Sequence, residues 1–297
     1  RAGDEGSPLS FTLSVLDIPG ATVETFHPKA VHLYGNTLYV ANDAPGHYSL
    51  EVFDVSSGNV RHVKSMVEWM NGDKKETFAG EPNGVTRSYG KIYVTNTGSR
   101  TDVFDAETYE FITCIGTGTW GEGGYQTVHA FDVTASQGAV FIRDKRKLVV
   151  VLEQDVQPGS AARVPIYSRS VNLQEAMGTY AVAARNDGFL YVTAQNKNII
   201  YLFDPADIRA GDTGFAPYLV TLGFEKSPQS IAFVGDRLFV TLRVDDKRSE
   251  LWEISPKNGK LLQDFTDSMV YPEKIAGARH TLLVVDRATQ TVKAIGL

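Results

Sequence analysis

A ring of small antiparallel sheets is the fold that the 297-residue sequence predicts, on two observations. First, a pattern of three short extended segments recurs, and its copies start at residues 28, 82, 128, 179, 228 and 272. Second, helical periodicity is nearly absent, and single turns over residues 68–75 and 173–177 are the only helical candidates. A period of 44 to 54 residues with three or four strands per copy is typical of a β-propeller. The sequence therefore predicts an all-β fold, a single six-bladed β-propeller over residues 1–297.

The repeated pattern is clearest over residues 82–105. It begins with Pro-Asn-Gly-Val, turns at residues 89–91, continues through Ile-Tyr-Val, turns again at residues 96–100 and ends with Val-Phe-Asp. Tyr, Phe, Val and Ile favour strands, whereas Gly, Asn and Asp favour the turns between them. Each copy therefore predicts one blade of short antiparallel strands.

The two ends of the chain predict how the ring closes. After residue 272 the last copy has only three strands, and the strand-like residues 9–17 belong to no complete copy. We expect this N-terminal strand to pair with residues 291–295 and complete the last blade, which removes exposed sheet edges. A seventh blade could lie only in residues 154–178, where one outer strand is the simpler interpretation.

Composition excludes two classes of partner. The formal charge is −6, with 35 acidic against 29 basic residues, which argues against a non-specific nucleic-acid-binding protein. No apolar run approaches the roughly 18–20 residues that a membrane-spanning helix needs. The sequence thus predicts no nucleic-acid partner and no membrane span.

Three motifs recur in a fixed order: Pro-x-(Gly/Ala/Ser)-(Val/Ile), Gly-x-(Leu/Ile)-(Tyr/Phe)-Val, and an apolar stretch that ends in Phe-Asp. The best match is residues 188–192 followed by residues 198–204. Together the motifs resemble the six-bladed NHL-type propeller repeat over nearly the whole chain, although the copies at residues 128 and 179 lack the leading proline. With the polar N-terminus, which looks like the remainder of a targeting segment, the resemblance implies an extracytoplasmic location.

In a propeller the first strand of each blade lines a central channel, so the residue after each leading position is equivalent around the ring. The six residues at this position are polar or amphipathic, and those that follow them are mostly small. We expect the six to form a ligand-binding ring at the channel mouth, or a structural ring that holds ordered water. The predicted ring is Lys29, Asn83, His129, Tyr180, Gln229 and Glu273. The residues that follow are Ala30, Gly84, Ala130, Ala181, Ser230 and Lys274.

The second strand of each blade runs back to the same face and brings polar residues to its rim. Arg143 and Arg243 follow strands directly, where turn chemistry does not require arginine. With Lys29 they could form a positive pocket for a carboxylate, sulfate or phosphate, or Arg143 could pair with Asp144. The predicted rim residues are Asn42, Asp43, Asn96, Arg143, Asp144, Gln195, Asn196, Arg243, Asp286 and Arg287.

Long connections on this face carry three aromatic residues, Trp69, Trp120 and Tyr125. A flat ring beside polar groups suits the apolar face of a sugar, and such rings also anchor protein interfaces. The structural alternative is that these rings pack against their own loops.

The residues support two classes of function. The first is a binding propeller without a cofactor, which recognises a glycan, another polar or anionic ligand, or a protein partner. It is favoured because the chain has no nucleophile motif and no metal-binding histidine spacing.

The second class is an enzyme. Resemblance to propeller-fold sugar lactonases implies a divalent ion in the channel, calcium or magnesium, with oxygen ligands from Glu273, Asn83 and Gln229. No aspartate lies on the ring, which departs from that pattern. A metal-free polysaccharide lyase or hydrolase would use His129 as general base and Tyr180 as general acid.

Overall fold

The computed structural model describes residues 6–56, 58–119, 127, 129–145, 148–158, 181–204, 220–278 and 280–297. Its strands form six sheets, in each of which the first strand of the repeated sequence pattern is innermost, and one separate hairpin. Blade 1 contains β2 (Pro28–Tyr34), β3 (Thr37–Asn42), β4 (Ser49–Asp54) and β5 (Arg61–Met66). The hairpin is β6 (Glu68–Asn71) with β7 (Lys74–Thr77). Blade 2 contains β8 (Pro82–Ser88), β9 (Lys91–Asn96), β10 (Arg100–Asp105) and β11 (Phe111–Ile115). Blade 3 contains β12 (Ala130–Ser136), β13 (Ala139–Asp144) and β14 (Leu148–Leu152). Blade 4 contains β15 (Val182–Ala184), β16 (Leu190–Ala194), β17 (Ile199–Phe203) and β18 (Val220–Gly223). Blade 5 contains β19 (Ser227–Val234), β20 (Arg237–Arg243), β21 (Ser249–Ile254) and β22 (Leu261–Asp264). Blade 6 contains β23 (Pro272–Ala278), β24 (Thr281–Asp286), β25 (Thr291–Gly296) and β1 (Phe11–Leu13).

The six sheets form a closed ring. Each innermost strand contacts the innermost strand of the next blade, and β23 of blade 6 contacts β2 of blade 1. Six clusters of buried apolar side chains fill the spaces between successive blades. Because the central strands are covered on both faces, they carry continuous apolar runs. The predicted six-bladed propeller is confirmed. Most of residues 154–178, where a seventh blade was the alternative, lie outside the described residues.

The N-terminal strand completes blade 6, as predicted. Phe11, Thr12 and Leu13 pair with Ala294, Lys293 and Val292 of β25 in antiparallel register. Leu13 is fully buried in the apolar cluster between blades 6 and 1. The first and last strands of the chain thus share one sheet.

The hairpin of β6 and β7 corrects one prediction. Residues 68–75 are not a helical turn; Glu68 pairs with Thr77 and Asn71 with Lys74. The connection is Gly72-Asp73, and Gly72 has a φ of +62°, which a side chain disfavours. A Gly-Asp pair between two strands is a signal of a two-residue hairpin loop.

Helical structure among the described residues consists of single 3₁₀ turns, of a kind common as connectors. None of these is long or apolar enough to cross a membrane. The turns are Val15–Asp17, Glu153–Asp155, Gln195–Lys197 and Thr266–Ser268.

Candidate ligand-binding site at the channel mouth

A β-bulge at the start of the inner strand places a ring residue in four of the blades. In blade 1 Pro28 pairs with Asn42 and Ala30 with Ala41, so Lys29 between them has no partner in the ladder. An extra residue of this kind bends the strand and redirects its own side chain. Asn83, Gln229 and Glu273 occupy the same position in blades 2, 5 and 6. These four residues line one cavity of about 400 Å³ at the end of the channel, which we call the mouth cavity.

Blade 3 departs from the predicted ring. Its bulge lies between Ala130 and Asp132, so Phe131 occupies the ring position that the sequence assigned to His129. Phe131 lines the mouth cavity. His129 lies beside it, with ring centres 5.9 Å apart, and its Nδ1 is 2.8 Å from the carbonyl oxygen of Thr97. The prediction that His129 belongs to the ring is therefore wrong.

Two other predicted site residues lie away from the mouth. Trp69 is buried: its ring lies 4.9 Å from those of Phe78 and Phe104, and it stacks on Phe111. It anchors the hairpin on blade 2, which was the structural alternative. Arg143 is fully buried and contacts the carbonyl oxygen of Asp144, so it does not form part of a rim pocket. Tyr180, Trp120 and Tyr125 lie outside the described residues.

One half-buried carboxylate, that of Glu273, holds the cations of the mouth. Glu273 accepts hydrogen bonds from Lys29 at 2.9 Å and from Arg287 at 3.0 Å. Burial raises the pKa of Glu273, but these two cations outweigh it, so that its pKa lies below the ordinary value. Asp43 is 4.0 Å from Lys29, and burial raises the pKa of Asp43. The carboxylate of Glu273 is therefore neutralised from two sides.

Two arginines hold the more exposed positions at the mouth. The side chains of Arg287 and Arg243 are 58% and 40% exposed, whereas that of Glu273 is 15% exposed. Arg243 pairs with Asp246, whose carboxylate extends into solvent. Each guanidinium has five N–H groups in a planar fork, so each keeps donors beyond those used in its pair. The outer mouth thus presents the donors of two arginines beside the exposed carboxylates of Asp246 and Glu81, and Glu273 lies less exposed than either arginine.

Amide side chains lie deeper in the same cavity. Nδ2 of Asn83 and Oε1 of Gln229 are buried and have no hydrogen-bond partner among the described residues. Nε2 of Gln229 is 3.4 Å from the hydroxyl of Tyr271, which also lines the cavity. Buried polar atoms are normally paired, by protein, water or ligand. These two amides therefore provide a donor and an acceptor for a guest in the channel.

An ion pair forms the floor of the mouth cavity. Nζ of Lys274 in blade 6 lies 3.3 Å from Asp132 in blade 3 and 3.3 Å from the carbonyl oxygen of Phe131. In a ring of six, these two blades face each other across the channel. Burial raises the pKa of Asp132 and lowers that of Lys274, and the pairing opposes both shifts. Gly84 leaves room for Asp132, because a Cβ at Gly84 would lie 2.8 Å from the Cα of Asp132.

The donor set fits a divalent cation poorly. No group of three His, Cys, Asp or Glu side chains is arranged to hold a metal in the part of the chain that the structure describes. Glu273, the one carboxylate of the proposed metal set, already pairs with Lys29 and Arg287. A hard cation would have to displace both, and it would gain only one carboxylate with two amides.

Comparison with protein-family models and with curated proteins gave no match. Among solved structures, the chain is similar to the β-propeller domain of Myceliophteria thermophila Cps50 (Swd1), at 12% identity and a TM-score of 0.57, over 94% of this chain and 99% of that one. It is similar to a chain of a mitotic checkpoint complex at 11% identity and a TM-score of 0.62, over 100% and 94%. Virginiamycin B lyase from Staphylococcus aureus matches at 12% identity and a TM-score of 0.61, over 97% and 99%. At these identities the similarity shows the propeller fold, and propellers serve many functions.

Proposed function

We propose that this protein is a non-catalytic binding propeller that holds an acidic sugar, one bearing a carboxylate or sulfate, in the mouth cavity. The observation that carries the proposal is the layering of the cavity. Two exposed guanidinium groups, of Arg243 and Arg287, lie above the buried, unpaired amide atoms of Asn83 and Gln229.

Each layer matches one part of such a ligand. A guanidinium binds a carboxylate or sulfate through charge-assisted, often bidentate hydrogen bonds. Amide donors and acceptors match the hydroxyls of a sugar ring. Phe131 and Tyr271 add aromatic surface to the same cavity, which suits the apolar face of a sugar. A volume of about 400 Å³ falls within the range of small-molecule sites.

The proposal predicts that Arg243→Met and Arg287→Met each weaken binding of trigalacturonate about tenfold, since a charge-assisted hydrogen bond is worth about 1.5–3 kcal/mol. Isothermal titration calorimetry would compare trigalacturonate with neutral maltotriose. Arg61→Met is the matched control, because Arg61 lies on the outer strand β5 and pairs with Asp54. Equal affinity for the two sugars, or full affinity in the Arg243→Met Arg287→Met double variant, would contradict the proposal.

Glu273 sets the pH dependence of the site. Because its pKa is lowered, Glu273 stays ionised until the pH falls below the ordinary value of about 4.3. Protonation then releases Lys29 and Arg287 for the ligand, while the stability that the ionised group contributes is lost. We therefore predict that Glu273→Gln binds glucose 6-sulfate several-fold more tightly at pH 7, with a lower melting temperature. Calorimetry between pH 3 and 7 would show tighter binding at low pH for the wild type only; weaker binding by Glu273→Gln would refute this.

A catalytic function is the second candidate, and one contact favours it. Because Nδ1 of His129 lies 2.8 Å from the Thr97 carbonyl, it carries the proton in the neutral ring, and Nε2 is left as the basic nitrogen. A general base of this kind would serve a polysaccharide lyase or hydrolase. A lyase would release unsaturated products from polygalacturonate, which absorb ultraviolet light. Product formation by the wild type that is lost in His129→Ala would favour the lyase. Absence of product with the wild type would favour the binding function.

The lactonase-like alternative, with a divalent ion on Glu273, Asn83 and Gln229, has a separate test. A thermal melt with EDTA and then with calcium or magnesium would show a rise if a native-state site exists, since saturation at 100 times the Kd adds about 2.7 kcal/mol. We expect no shift of the melting temperature.

Two further parts of the proposal depend on the resemblance of the repeated sequence motifs. They are the assignment to NHL-type propellers and the extracytoplasmic location. A protein partner on the same face is an alternative to the sugar.

A further inference from the structure

The channel contains a second cavity, at the end opposite the mouth. Its volume is about 520 Å³, and Asp132 lines it, whereas Lys274 lines the mouth cavity. The ion pair between these two residues therefore separates the two spaces. We call the second space the lower cavity, and the proposed sugar site makes no use of it.

The walls of the lower cavity combine apolar and polar side chains. The later residues of the inner strands line it, with Phe233 and Ala276 among the apolar ones and Thr86, Thr134 and Gln137 among the polar ones. The mouth cavity, in contrast, is lined mostly by charged and amide side chains. Apolar walls with a few fixed polar groups are typical of small-molecule sites.

One cation is fixed at the wall of this cavity. The guanidinium of Arg87 stacks 4.2 Å from the ring centre of Tyr34, and its Nη1 donates to the hydroxyl of Tyr39 at 3.2 Å. Its Nε is buried and has no hydrogen-bond partner among the described residues. Because Tyr34 and Tyr39 hold the group in place, little conformational entropy is lost when an anion binds to it.

The nearby carboxylates are occupied elsewhere. In the described part of the chain, no Asp or Glu forms an ion pair with Arg87. Asp132 lines the same cavity, but it pairs with Lys274 and accepts a hydrogen bond from the backbone N–H of Val182. Asp105 accepts hydrogen bonds from the backbone amides of Thr108 and Glu107, and these bonds are the main reason why its pKa is lowered. The charge of Arg87 contributes least to that lowering. Arg87 is therefore a preorganised cation at the wall of a cavity that also has apolar surface.

We propose that the lower cavity is a second binding site, which takes a molecule with a planar apolar body and one carboxylate, an aryl carboxylate. The carboxylate pairs with Arg87, and the ring system packs against the apolar part of the wall, which includes Phe233. A cavity of about 520 Å³ accommodates a ligand of two fused rings. Tyr89, which is 73% exposed and lines the same cavity, provides aromatic surface at the entrance.

The test compares two probes of nearly equal shape, 1-naphthoate and the neutral 1-naphthalenemethanol. Calorimetry should show that the wild type binds one molecule of naphthoate at least tenfold more tightly than the alcohol. Arg87→Met should bind both with equal, weak affinity. No preference for the carboxylate in the wild type, or an unchanged preference in Arg87→Met, would overturn the proposal. If Arg87→Met does not fold, as judged by circular dichroism, the wild-type comparison at pH 7 decides alone.

Arg287→Met separates this proposal from the sugar site. It makes the same chemical change at the other end of the channel, so it should weaken trigalacturonate binding and leave naphthoate binding unchanged. Arg87→Met should do the reverse. Loss of naphthoate binding in Arg287→Met, with none in Arg87→Met, would place the carboxylate at the mouth and reject a lower site.

Discussion

Deleting residues 1–18 is expected to lower the melting temperature by about 10 °C or more. Leu13 is fully buried between blades 6 and 1, where Leu9 and Phe11 pack against the same cluster. Removing a buried leucine side chain alone costs about 2–5 kcal/mol. The deletion also exposes the whole edge of β25, which is open to pairing with another chain. Differential scanning calorimetry, with light scattering to detect aggregation, measures both effects.

A circular permutant provides the control for this deletion. Pro8 packs against Gly296, since a Cβ at Gly296 would lie 3.0 Å from the Cβ of Pro8, so the start of β1 lies beside the end of β25. A chain opened at Gly20, with residues 6–19 joined after Leu297 by a short linker, keeps the same strand pairing. Its melting temperature should return close to that of the wild type. An unchanged melting temperature in the truncated protein would contradict closure by β1.

Lys274→Met is expected to destabilise the protein by about 3–5 kcal/mol, the usual cost of leaving one member of a buried ion pair without its partner. The side chains of Lys274 and Asp132 are only 10% and 16% exposed, so water cannot replace the lost cation. The carboxylate of Asp132 would then be left with the backbone amides of Val182 and Val133 as neighbouring donors.

Urea unfolding of a double-mutant cycle measures this loss. Lys274→Met Asp132→Asn removes both charges and keeps an oxygen that can accept from Val182. Replacing both charges of a buried pair is often close to neutral, so the double variant should recover most of the stability lost in Lys274→Met. Equal losses in the single and double variants would show that packing of the lysine chain, and not its charge, is what stabilises the channel.

The architecture could be predicted from the sequence because each blade repeats its own local signals. The leading Pro-x-small-apolar segment, the glycine turn and the central apolar strand recur at a nearly constant spacing. The spare N-terminal strand and the incomplete last copy predicted the closure that β1 and β25 make. These features depend on residues that are neighbours in the sequence, so the sequence alone is sufficient to predict them.

The ring residue of blade 3 was predicted wrongly because the sequence around it lacks the usual signals. In blade 3 no proline marks the start, and Ala130 resembles the small residue that follows the ring position. The bulge is fixed by the hydrogen-bond register and lies five residues before the last residue of the inner strand, from Lys29 to Tyr34 in blade 1 and from Phe131 to Ser136 in blade 3. Counting back from the turn would have found Phe131.

Other features required the third dimension. Lys274 was the exception in a layer of small residues, and its partner Asp132 lies 142 positions earlier in the chain, in the opposite blade. Trp69 stood on a long connection, but the connection folds into a hairpin and carries the ring into the core. The Gly72-Asp73 turn was the local signal for that hairpin.

A crystal structure of the protein soaked with trigalacturonate would show whether the sugar occupies the mouth cavity. We expect electron density for a sugar in the mouth cavity, with a carboxylate within hydrogen-bond distance of Arg243 or Arg287 and hydroxyls on Asn83 and Gln229. Density for the sugar elsewhere on the molecule, with only water between the two arginines, would contradict it.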